Sequence, residues 1–104
     1  MKIEYRIIVG TGFDRLKVKI ERYNIDTILK DIATEFGGYS ITNVDGGYIM
    51  GSDGSLVKEK SISISILSES PKDFIITGFA KELKRFLNQE SVLVVKSKVS
   101  TKFV

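Results

Sequence analysis

Ser61-Ile62-Ser63-Ile64-Ser65-Ile66-Leu67 alternates a small polar residue with a β-branched apolar one. A period of two marks a strand with one face in a core. The isoleucines project to one side and the serines to the other. Such a strand needs partners on both edges and a layer over its isoleucines. The chain on either side must supply them.

Upstream, Lys2 to Val9 reads as a second strand. Ile3, Tyr5, Ile7 and Val9 share one face; Lys2, Glu4, Arg6 and Ile8 share the other. Gly10-Thr11-Gly12 then reads as a break and a plain turn rather than a phosphate loop, since the dinucleotide fingerprint needs a third glycine opening a helix and Phe13-Asp14-Arg15 follows instead. Leu16 to Ile20 alternates again and predicts a short strand or an extended arm. The first helix is predicted from Asn24, a good N-cap with Asp26 in the first turn. Ile25, Ile28, Leu29, Ile32, Ala33 and Phe36 make its apolar stripe. Gly37-Gly38 ends it, since glycine accepts the left-handed conformation at a helix C-terminus.

A β-meander is predicted next. Tyr39 to Val44 forms one arm, Asp45-Gly46 a hairpin turn, Gly47 to Met50 the return. Ser52-Asp53-Gly54 turns the chain into the long strand over 55–67. The two aspartates sit in separate turns and lack the spacing of a calcium loop. The second helix starts at Ser70-Pro71, with serine as cap and proline at the first position. Ile75, Ile76, Phe79, Ala80, Leu83, Phe86 and Leu87 form its stripe. Gly78 lies mid-helix, where close packing or simple tolerance would account for it. Asn88-Gln89 closes the helix, and Ser91 to Phe103 supplies a last strand rich in valine.

Strand, helix, hairpin, long strand, helix, strand is an α+β order. It predicts a ferredoxin-like β-α-β-β-α-β plan with an elaborated central β-meander. Both helices then cover one face of an antiparallel sheet. The other face should carry Arg6, Ile8, Ser61, Ser63 and Ser65, together with Val92, Val94, Lys96, Lys98 and Lys102 from the last strand. The first nine of these are the candidate interface.

The 104 residues, 42% hydrophobic and 28% charged, suit one folded domain over 1–104. With no cysteine and no histidine, disulfides, thiolate nucleophiles and the commonest general base and metal ligand are excluded. No catalytic, cofactor or metal residue is singled out, and no cofactor is implied. A strand at the start is no signal peptide, and no apolar run reaches the roughly 20 residues that span a bilayer. The expected location is the cytoplasm, without membrane association. A net charge of +3 is mildly basic.

Gly37-Gly38-Tyr39-Ser40-Ile41-Thr42, Gly46-Gly47-Tyr48 and the run Asp53 to Ser61 resemble a small bacterial domain-of-unknown-function family (family 3574). So does the ending Phe86 to Val95 with Val99 and Phe103. The resemblance covers roughly residues 37–104. It implies a compact ferredoxin-like domain without an established activity. Members are often predicted to be exported, but this chain shows neither leader nor lipid-anchor cysteine, so export is not carried over.

The expected function is a self-associating binding module without catalysis, a homodimer or higher oligomer formed through the open sheet face. One alternative is nucleic-acid or polyanion binding, with Arg6, Lys96, Lys98 and Lys102 as a basic stripe. That face lacks the aromatic residues that stack bases, so any such binding is expected to be weak. The other alternative is a metal-dependent hydrolase or nuclease using carboxylates, to which only Asp14 after the first strand points; no second carboxylate is placed beside it, and Glu59 and Glu90 read as surface charges.

Overall fold

The computed structural model describes residues 1–11 and 15–104, with side chains described for 1–11 and 25–104. The elements are β1 (Lys2–Gly10), α1 (Arg15–Phe36), β2 (Ser40–Ile49), β3 (Leu56–Ser68), α2 (Asp73–Phe86) and β4 (Leu93–Val99). The strands form one sheet in the order β2-β3-β1-β4, antiparallel throughout. This is the predicted ferredoxin-like α+β plan.

The quoted stretch lies in the middle of the sheet. Ile62, Ile64 and Ile66 stand opposite Val9, Ile7 and Tyr5. Both helices lie on that face. The core joins Ile3, Tyr5, Ile7, Val9, Ile64 and Ile66 to Ile25, Ile28, Leu29 and Ile32 of α1. Ile76, Ala80 and Leu83 of α2 and the adjoining Leu87 complete it. α1 ends as expected: the Gly37 N–H bonds to the Ala33 carbonyl, and Gly37 has φ +89°.

Four local expectations are corrected. Leu16 to Ile20 is helical, and α1 begins at Arg15 rather than Asn24. Leucine, lysine, glutamate and arginine are strong helix formers, and one asparagine does not stop them. Asp45-Gly46 is no turn: both residues stay paired, opposite Lys60 and Glu59, inside a ten-residue strand. The chain reverses once, at 50–55. There the Met50 N–H bonds to the Ser55 carbonyl, Gly54 takes φ +74° and the Asp53 carboxylate accepts the Ser55 N–H. A single turn with those fittings keeps the ladder unbroken, so β2 and β3 form one hairpin and no meander. Gly47 supports that pairing, since a Cβ there would lie 3.1 Å from the Val57 carbonyl oxygen.

α2 starts at Asp73, past Ser70-Pro71, with no side-chain cap on Lys72. The Tyr5 hydroxyl takes up the Lys72 N–H instead. Gly78 touches nothing that a Cβ would meet, so tolerance and not close packing accounts for it. Finally, β4 spans Leu93–Val99, shorter than Ser91 to Phe103.

Candidate functional site

One end of the sheet opens into a groove of about 580 Å³. The start of β1 contributes Lys2 and Glu4 to it, and the end of β3 contributes Ser65, Leu67 and Ser68. The passage from α1 into β2 brings Phe36 and Tyr39, with Glu35 beside them. The loop after β3 brings Glu69, Ser70 and Lys72, and Phe103 completes the lining. All these chain ends meet at one edge because antiparallel pairing places the start of β1 beside the end of β3.

The polar groups there are organised. Ser65 Oγ donates to Glu4 Oε2 at 3.0 Å, and Arg6 Nε lies 3.9 Å from the other oxygen. Lys2 Nζ is 3.2 Å from a Glu69 carboxylate oxygen and 5.5 Å from the centre of the Phe103 ring. Behind the groove wall, the buried Tyr5 hydroxyl donates to Asp73 Oδ1 and accepts the Lys72 N–H at 2.8 Å. Lys96 Nζ lies 3.1 Å from the same Asp73 carboxylate. The hydrogen bond from Tyr5, then that from Lys96, holds the Asp73 carboxyl below the usual range; burial, then Asp73, pushes the Tyr5 hydroxyl up.

The open face of the sheet differs from expectation on one strand. Arg6, Ile8, Ser61, Ser63 and Ser65 lie on it, with Arg6 opposite Ser65, Ile8 opposite Ser63 and Gly10 opposite Ser61. Val94, Lys96 and Lys98 stand opposite Ile7, Tyr5 and Ile3, so they lie on the helix face. Val92 packs against the core on that side as well. The open face takes Leu93, Val95, Ser97 and Val99 instead. The run Val92-Leu93-Val94-Val95 has no alternation, so only the pairing with β1 decides its parity. The basic stripe is therefore divided, with Arg6 on one face and Lys96 and Lys98 on the other.

Asp14 lies outside the described residues. Among the described residues, no three His, Cys, Asp or Glu side chains are grouped to hold a metal ion. Nor is any helix among them long and apolar enough to cross a membrane. The groove was missed in the sequence because its residues come from four separated segments.

No protein-family model matches the chain, and no curated protein matches it. Solved structures do. A phage SAM lyase in its apo state is 30% identical, with a TM-score of 0.56 over 91% of this chain and 78% of that one. A phage SAM lyase in complex with S-methyl-5'-thioadenosine is 27% identical, with a TM-score of 0.58 over 93% and 81%. The divalent cation tolerance protein Cut A1 from Thermus thermophilus has a TM-score of 0.58 over 99% and 88%, at 12% identity. That last likeness is one of fold alone.

Proposed function

The chain belongs to the family of the phage SAM lyase, and from that premise we propose that it cleaves S-adenosylmethionine (SAM) in the groove at the end of its sheet. S-methyl-5'-thioadenosine is SAM without its aminobutyrate arm. A lyase linking the two breaks the bond from sulfur to the arm's γ-carbon without water. The electron pair goes to sulfur, and the sulfonium becomes a neutral thioether. That leaving group needs no proton. If the arm's own carboxylate closes on the γ-carbon, no protein base is needed either. The absence of histidine and cysteine thus presents no obstacle to this reaction.

The observation that carries the proposal is the lining of the groove. Glu4, Glu35 and Glu69 suit a sulfonium, and the faces of Phe36, Tyr39 and Phe103 attract a cation and stack on an adenine. Lys2 and Lys72 suit the arm's carboxylate. A volume of about 580 Å³ lies within the usual range for small-molecule sites.

The test is incubation of the purified chain with SAM and chromatographic measurement of S-methyl-5'-thioadenosine. Formation well above the uncatalysed rate is expected, with a raised KM in Glu4→Gln. Product at only the uncatalysed rate would refute the proposal.

A second reading accompanies the first. We propose that copies of the chain associate through the open sheet face, where Ile8, Leu67, Leu93 and Val95 lie without a helix to cover them.

A further inference from the structure

Among the described residues, the buried core on the helix face of the sheet is aliphatic apart from two hydroxyl-bearing side chains, Tyr5 and Ser68. Phenylalanine would fill the Tyr5 position equally well. A buried hydroxyl is unfavourable unless it is hydrogen-bonded. Both hydroxyls reach the same short segment, the loop 69–72 between β3 and α2. Ser68 Oγ donates to the Ser70 carbonyl, and Tyr5 accepts the Lys72 N–H while donating to Asp73. Ser68, Glu69, Ser70 and Lys72 form one wall of the groove. The loop is therefore fastened near both ends from inside the core, while its outer side faces the groove. Lys96 fastens Asp73 from β4 at the same point.

We propose that Tyr5 is a positioning residue for the substrate, acting through the Lys72 backbone and Asp73 to hold the 69–72 wall in its binding geometry before the ligand arrives. This rests on the lyase reading of the groove. Tyr5 lies behind the wall and need not touch the substrate. A wall set in advance saves the ordering that binding would otherwise require. Its loss weakens binding of substrate and product alike, with little change in turnover once the site is filled.

The experiment combines Tyr5→Phe and Ser68→Ala with amide hydrogen exchange. In the parent chain, the Lys72 amide should be as well protected without ligand as with S-methyl-5'-thioadenosine. In Tyr5→Phe it should exchange at least about tenfold faster, with the amides of β1 and β3 little changed. The KM for SAM and the Kd for S-methyl-5'-thioadenosine should rise by about fivefold, with kcat within about twofold. Ser68→Ala should act in the same direction and decides the kinetic arm if Tyr5→Phe does not fold. Unchanged KM and Kd in a folded variant would overturn the proposal. So would a Lys72 amide that is unprotected in the free parent chain. A parent chain that neither cleaves SAM nor binds the thioether refutes the lyase reading instead; the exchange arm then separately tests whether Tyr5 holds the loop.

Discussion

Asp73 joins three elements: it opens α2, accepts from Tyr5 of β1 and pairs with Lys96 of β4. Its carboxyl is held below the usual range, so the ionised form is favoured in the folded state. The stabilisation is present above the unfolded value and is lost as pH falls through the folded one. The stability advantage of the parent over Asp73→Asn should thus be steady near neutrality. It should shrink from about pH 4 downward. Thermal melts of both proteins across that interval check it, and a pH-independent difference would show that the charge contributes nothing. Lys96, predicted to face away from the helices, is a partner of the carboxylate. Single-residue polarity in a valine-rich edge strand could not reveal that.

At the scale of elements, Gly78 offers a clean measurement. It sits in the middle of α2, and a Cβ there meets nothing. Gly78→Ala should stabilise the protein by about 0.5–1 kcal/mol through helix propensity alone. Denaturant melts read this directly; a loss of stability would mean that the helix uses the glycine for close approach after all. The regular elements were legible wherever a period was clean. The Ser-Ile alternation placed β3, the alternation of Ile3 to Val9 placed β1, and the stripes of α1 and α2 named most of the core. Errors fell where local chemistry competed with pairing. Asp45-Gly46 is a good hairpin sequence, but a turn there would break a ladder that continues to Ile49. Ser70-Pro71 is a good helix start, yet Tyr5, far away in sequence, supplies the partner that fixes the beginning at Asp73. The groove was not legible, because four segments meet only after the sheet forms. Missing histidine and cysteine argued against catalysis in general, but departure from a sulfonium demands neither.

At the scale of the molecule, the fold leaves surface without cover. The radius of gyration is 14.9 Å and the long axis 46 Å. A compact chain of this length would have a radius of about 13 Å. The far part of the β2–β3 hairpin contributes to that length, and its end exposes Tyr48, Ile49, Met50 and Leu56. A two-stranded ribbon is marginal by itself in water. On the open face, Leu67, Leu93, Val95 and Ile8 surround the serines, and Ser63 is already buried among its neighbours. In the proposed association a second copy would supply the missing layer at both places, and closed symmetry would let one surface serve every subunit. Light scattering should therefore give a small multiple of 11.6 kDa. Ser63→Lys and Val95→Lys each place an unpaired charge in the desolvated layer and should shift the mass toward that of one chain. Val94, expected on the open face, lies on the helix face and is no part of this layer. A parent chain that scatters as a monomer at high concentration would refute the association. Two lysine variants that keep the parent's mass would place the contact away from the open face, with the hairpin end as the next surface to alter.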